Sequence, residues 1–326
     1  MEQQTEQLFT WLDTTTNMIV EKEDVPYLEA LIAASELLFY RDLPEDLDED
    51  YEKRLTEQLN QAQLNEYPLE ARRKAMQLAI LKGMKGSTQQ HHYITPDTIG
   101  MFMGYLLQRF MGDTNKFSVF DPACGSANLL ISVINQLENK QIKAYGSEVD
   151  PTLIRLAYSN TNLQEREIEY FHQDSLKPIL LEPVDTVVSD LPVGFYPDDD
   201  TASAYDLKAE EGHSFAHHLF IEQSLKYTKE GGYLFFVVPS SLFESEQKDQ
   251  LQQFLKQHAH IVGLLQLPET MFKHEQMRKS IFVLQKKGEN TRDPRKVLLA
   301  DLPSFKDVQA MDSILMQINQ WFENER

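Results

Sequence analysis

The chain has 326 residues, 41% of them hydrophobic and 25% charged, with 51 acidic against 31 basic side chains and a formal net charge of -20. That length allows two domains, or one large domain with an extension, while the acidic field repels nucleic acid and anionic membranes and argues against a protein that grips long DNA unaided, leaving room for a small basic cleft or a basic partner subunit. The single cysteine, Cys124, excludes a disulfide framework; with a polar N-terminus unlike a secretory signal and no apolar run long enough for a membrane span, it points to a cytoplasmic protein.

Residues 1–90 read as helical. Apolar residues recur at three-to-four spacing over 4–18, 26–40 and 68–84, as in Leu28, Leu31, Ile32, Leu37 and Leu38. The acidic stretch RDLPEDLDEDYE, 41–52, reads as a turn or loop between helical pieces. The basic triplet RRK, 72–74, is too short to offset the acidic field. A helical accessory domain over 1–90 is expected, followed by a second domain over 91–326.

From residue 90 the pattern changes. A helix over 97–111 opens after Pro96. Strand-like runs follow: KFSVF (116–120), IKAYG (142–146), IEYFH (168–172), VDTVVS (184–189), GYLFFVV (232–238), HIVGLLQL (260–267) and SIFVLQK (280–286). Helical stretches near 126–138 and 150–160 separate the early ones. Such alternation predicts an α/β fold with a mostly parallel, seven-stranded sheet covered on both faces. The last two runs leave no room for a crossover helix, so an antiparallel hairpin at the sheet edge is expected. A short strand candidate at 296–300 and a helix over 307–322 close the chain.

Ligands of such sheets bind outside the carboxyl ends of the strands, where strand order reverses. Asp121, Glu148, Asp174 and Asp190 each close or directly follow a strand candidate. Singly, each is as readily a helix cap or a solvated turn; as an ordered set they describe a ligand site. Asp121 begins the turn Pro122–Ser126, in which Gly125 lets the backbone approach a ligand, and the amides opening the next helix can bind a carboxylate. The turn is neither GxGxxG nor a phosphate loop, and no lysine within it stands ready for phosphates. Glu148, 27 residues beyond Asp121, is placed for the two hydroxyls of a ribose, and Asp174 for an adenine amino group. These features describe a nucleoside cofactor with a charged, non-phosphate tail.

DPACGSANLL, 121–130, resembles the cofactor loop of the amino-methyltransferases that act on adenine in DNA. It is most similar to that of the modification subunits of type I restriction systems and their small free-standing bacterial relatives. The resemblance covers roughly 90–286 and implies a class I, Rossmann-like methyltransferase fold that uses S-adenosylmethionine. YITP at 93–96 resembles the family's aromatic-x-Thr-Pro segment, which implies cofactor contacts for Tyr93 and Thr95. The expected cofactor-binding set is Tyr93, Thr95, Asp121, Pro122, Ala123, Gly125, Ser126, Asn128, Glu148, Val149, Asp174, Ser175 and Asp190.

The stretch SDLPVGFYP, 189–197, is similar to the family's Asn/Asp-Pro-Pro-aromatic segment. The match assigns Asp190, Leu191 and Pro192 as the catalytic segment. An exocyclic amino group gives its lone pair to the ring and is a poor nucleophile. A side-chain oxygen of Asp190 and the carbonyl of Leu191 would accept its two hydrogens and aim the nitrogen at the methyl group; no metal or covalent nucleophile is needed. The segment departs from the family pattern twice: Leu191 replaces a proline and Val193 the base-stacking aromatic. Phe195 or Tyr196 is expected to take over substrate binding.

The segment PDDDTASAYDLKAEEGH, 197–213, carries one lysine against six acids, which suits a lid and not a phosphate-binding surface. The resemblance implies a DNA substrate, with sequence reading left to a separate specificity subunit. An RNA base, a protein amide, a small molecule, or service as a weakly active cofactor-binding scaffold are the alternatives. His213 and His217 stand four apart with His218 beside them on an expected helix, without a third metal ligand; His91, His92, Ser240 and Ser241 are weaker candidates for the cleft.

Overall fold

The computed structural model describes residues 1–85, 94–137 and 140–325. Tyr93, His91 and His92 therefore lie outside the described residues. Four helices come first: α1 (Glu2–Glu23), α2 (Tyr27–Tyr40), α3 (Glu49–Leu59) and α4 (Leu69–Lys85). The acidic stretch at 41–52 is thus only partly a loop. Asp48 accepts a hydrogen bond from the Tyr51 amide and starts α3 as its N-cap, with Glu49, Asp50 and Glu52 in the first turn, where acids favour a helix.

The remainder alternates as expected. After α5 (Asp97–Met111) come β1 (Lys116–Asp121), α6 (Asn128–Asn135), β2 (Gln141–Glu148), α7 (Pro151–Leu163), β3 (Ile168–His172) and β4 (Val184–Asp190). Then follow α8 (Asp199–Ala202), α9 (Ala216–Lys226), β5 (Thr228–Pro239), α10 (Lys248–His258), β6 (Ala259–Gln266), β7 (Lys279–Lys286), β8 (Leu298–Asp301) and α11 (Val308–Glu325).

Among the described residues the strands form one eight-stranded sheet in the order β3-β2-β1-β4-β5-β7-β6-β8. Only β7 runs antiparallel to its neighbours. The expected β6–β7 pairing is present, but β8 adds a parallel strand outside β6, so the hairpin is one step in from the edge. Period-two alternation on β5 sorts its side chains between two cores. Phe235 and Val237 join Phe102, Leu106 and Phe110 of α5 and Ile318 and Phe322 of α11. Leu234, Phe236 and Val238 join Leu219 and Phe220 of α9 and Leu251 and Phe254 of α10.

Helix α7 joins the N-terminal helices to the sheet. Its Leu153, Leu156 and Leu163 pack with Leu31, Leu38, Met76 and Ile80, while Ile154 and Ala157 face Cys124, Ala127 and Tyr170. Arg72 and Arg73 of the basic triplet are buried, not part of a basic surface. Arg73 donates to Glu70 and to Asp97 at the start of α5, and Arg72 donates to the Leu163 carbonyl and Glu165. Buried guanidinium groups persist only when paired like this.

Candidate active site

Strand order reverses between β1 and β4, which carry Asp121 and Asp190 at their carboxyl ends. The switch point expected to hold the ligand is bordered by a cavity of about 560 Å³. Every described member of the expected cofactor set lines it: Thr95, Asp121, Pro122, Ala123, Gly125, Ser126, Asn128, Glu148, Val149, Asp174, Ser175 and Asp190. Leu191 and Pro192 also line it.

The loop after β1 owes its shape to backbone geometry. Gly125 has φ +55, and a Cβ there would meet nothing within 4 Å. Ala127 is left-handed as well, at φ 61, a conformation that costs a non-glycine residue about 1 kcal/mol. Gly146 on β2 lets the loop settle: a Cβ there would lie 2.7 Å from the Tyr170 ring and 3.0 Å from Cys124 Sγ. Burial raises the Cys124 thiol well above its usual pKa, so it is not a ready nucleophile.

The acids are held in different ways. Asp121 is 1% exposed and accepts hydrogen bonds from the Ala123 amide at 3.0 Å and Ser189 Oγ at 2.7 Å. Burial pushes its pKa up to about 7, with Glu148 and Asp190 adding to the rise and the two hydrogen bonds opposing it. Glu148 accepts from the amides of Gly125, Val149 and Asp150 at 2.8–2.9 Å. Asp174 accepts from the Leu176 amide and the Tyr196 hydroxyl. At Asp190, Thr95 Oγ1 donates to Oδ2 at 2.9 Å and Lys279 Nζ to Oδ1 at 2.6 Å. Asn128 Nδ2 fixes the Thr95 carbonyl at 3.0 Å, while its Oδ1 is buried without a partner.

The two expected substrate aromatics separate. Tyr196 is 7% exposed and its hydroxyl is on Asp174, so its ring has no free face for a base; it is a support for Asp174 and does not line the cavity. Phe195 is 62% exposed and stacks on Phe215, with centroids 4.9 Å apart and planes at 16°. It too lies outside the cavity lining. The acidic segment is no loose flap: a Phe195–Phe215 bridge closes its base, and Ala202, Tyr205 and Leu207 are buried in the core below. His213 precedes α9 and is exposed, whereas His217 and His218 are buried on it, their pKa values lowered by burial to about 3 and about 4.

Lys279 and Arg278 were absent from the expected site, as was Met84 from the end of α4; all three line the cavity. The antiparallel sense of β7 was the available signal for Lys279. A strand running against the others begins where they end, so its first residue falls at the ligand edge of the sheet.

Fold and site together define a class I methyltransferase. The chain belongs to the N-6 DNA methylase family, whose model matches residues 80–321, and is therefore an S-adenosylmethionine-dependent methyltransferase. A model of the YtxK N-terminal helical domain matches residues 6–84. The chain is 49% identical over 324 residues to the uncharacterized protein YtxK of Bacillus subtilis, covering 98% of each. It is 43% identical to a Listeria monocytogenes protein whose crystal structure is described as that of a candidate class I S-adenosylmethionine-dependent methyltransferase, with a TM-score of 0.92 over 99% of this chain and 100% of that one. A type I restriction-modification methyltransferase subunit from Streptococcus thermophilus shares the fold at 17% identity, with a TM-score of 0.68 over 98% of this chain and 74% of that one.

The donor set fits that cofactor. Four carboxylates line the cavity, which suits the cationic sulfonium and ammonium groups and opposes a phosphate chain. The unpartnered Asn128 Oδ1 is a further acceptor awaiting a donor.

Proposed function

We propose that the chain transfers the methyl group of S-adenosylmethionine to the exocyclic amino group of adenine in DNA. The observation that carries this reading is the position of Asp190. It ends the strand beside β1, lines the same cavity as the other three acids, and is coupled to Asp121 through its neighbour Ser189.

In this reading Asp121 faces the cofactor's ammonium group, Glu148 the ribose and Asp174 the adenine. Bound there, the sulfonium supplies an activated methyl group. Asp190 and the Leu191 carbonyl would accept hydrogen bonds from the two N–H groups of the acceptor amine and turn its nitrogen toward that methyl, and one of those protons passes to solvent once the nitrogen is methylated. The departure at Leu191 is compensated locally. Its side chain is 1% exposed and its amide donates to the Val237 carbonyl at 3.1 Å, a bond that proline cannot make. Phe195, two residues beyond Val193, stands outside the cavity lining with one face on Phe215 and is otherwise exposed, so a base could stack on it only at the cavity mouth; such stacking contributes about 1–3 kcal/mol.

Residues 1–90 act as an accessory domain to the methyltransferase domain, 91–326. Sequence reading falls to a separate subunit, because the segment bordering the acceptor side is acidic. The setting is cytoplasmic, where the lone thiol stays reduced. A second acceptor class, an RNA base or a protein amide, is favoured by one feature: Val193, at the stacking position, is an aliphatic side chain 59% exposed. Incubation of the protein with methyl-labelled cofactor and separated host DNA, RNA and protein distinguishes these readings. Label recovered as N6-methyladenine in DNA supports the proposal; label confined to RNA or protein refutes it.

A further inference from the structure

The ion pair between Asp190 and Lys279 has no counterpart in the sequence motif that marks the acceptor site. Asp190 pairs in register with Val237 of β5, and Lys279 pairs with Pro239 two residues further along that strand. The lysine therefore reaches across the end of β5 to put Nζ 2.6 Å from Oδ1 of Asp190. Both side chains are mostly withdrawn from water, at 26% and 17% exposure, so the pair is stronger than a surface ion pair. Arg278, the neighbouring cation at the cavity, is engaged elsewhere, by the Leu267 carbonyl and Glu269. Thr95 contributes a hydroxyl to the other oxygen of Asp190 and no charge.

The chemistry of methyl transfer gives this pairing a consequence. An unpaired carboxylate in a partly buried cleft draws cations, and an alkyl amine near neutral pH would arrive as its ammonium ion. An ammonium nitrogen has no lone pair with which to attack a methyl group. An aromatic amino group or carboxamide is uncharged, and it donates to the lone pairs that Asp190 retains after pairing with Lys279.

We propose that Lys279 is a specificity-determining residue of the acceptor site. Paired with Asp190, it neutralises the charge of that carboxylate and reserves its free lone pairs for an uncharged, planar amino group over alkylammonium ions. The inference rests on the reading of Asp190 as the acceptor-side acid. It acts through Asp190, so Lys279 is a positioning residue and not a catalytic one.

The test is equilibrium binding to the full chain loaded with S-adenosylhomocysteine, with n-butylammonium and 2′-deoxyadenosine as probes. Lys279→Met is expected to raise the ratio of ammonium to nucleoside affinity at least about tenfold, equivalent to about 1.4 kcal/mol. Adding Asp190→Asn is expected to abolish that gain, and Lys279→Arg, which keeps the charge, to retain the wild-type ratio. No gain for n-butylammonium in Lys279→Met, including no measurable binding, overturns the proposal. A gain that survives Asp190→Asn also overturns it. If the ammonium gain appears while no variant binds 2′-deoxyadenosine, the selectivity stands and the adenine reading falls.

Discussion

The two halves of the cavity are held together differently. On the cofactor side, Asp121, Glu148 and Asp174 each accept at least one backbone amide from within two residues in sequence. On the acceptor side, Asp190 is held by side chains 95 and 89 residues away, Thr95 and Lys279. The first half is built from turns that each strand makes as it ends. The second exists only once the segment leading into α5, β4 and β7 have met. The contrast teaches that each side keeps most of its own supports when the other changes, although Thr95, whose carbonyl Asn128 holds and whose hydroxyl donates to Asp190, links the two. Ser189, bonded to Asp121 and adjacent to Asp190, is one such link.

The largest effect that sharpens this division is expected from Asp190→Ala. Methyl transfer should fall by about 10²–10³-fold, the usual loss for a group that orients and stabilises the reacting atoms. A rate assay with labelled cofactor measures it. Next, Glu148→Gln removes a charge-assisted acceptor from the ribose side. Cofactor affinity should drop about 10–100-fold by calorimetry, with the transfer rate at saturating cofactor little changed.

A pH titration probes Asp121. Its folded pKa is raised above the usual carboxylate value to about 7 by burial. Between about pH 4 and 7 the cofactor-free protein holds a proton that a cationic ligand must expel. Cofactor affinity is therefore expected to fall as pH drops below about 7, by at most about tenfold per unit. The same shift makes this group's contribution to stability decline as pH rises through that window, since the folded state binds the proton more tightly than the unfolded one. An affinity flat from pH 8 to 6 would remove Asp121 from the ammonium site. The smallest effect is expected at Gly146→Ala, where the added methyl meets Tyr170 and Cys124. It should destabilise the fold by about 1–2 kcal/mol, read as a lowered melting temperature, without altering Asp190.

What was legible in the sequence follows the same line. The strand runs and the acids that end them are local patterns, and DPACGSANLL sits where its turn residues require. The start of α3 at Asp48 was hidden because three acids, Glu49, Asp50 and Glu52, crowd its first turn, which reads as a loop. Lys279 opens an apolar strand and carries no motif; only the antiparallel sense of β7 brings it to Asp190. Tyr196 illustrates the opposite error. It stands beside Phe195 in sequence, but neighbouring residues of an extended segment point to opposite sides. One ring reaches solvent and the other turns inward to Asp174.

The most direct test of the division is a calorimetric titration of S-adenosylmethionine into Asp190→Ala beside the wild type. The expected result is a dissociation constant within about threefold of wild type in a protein that no longer transfers the methyl group. Loss of cofactor binding together with transfer would contradict it, and would place Asp190 among the supports of the cofactor instead of the acceptor.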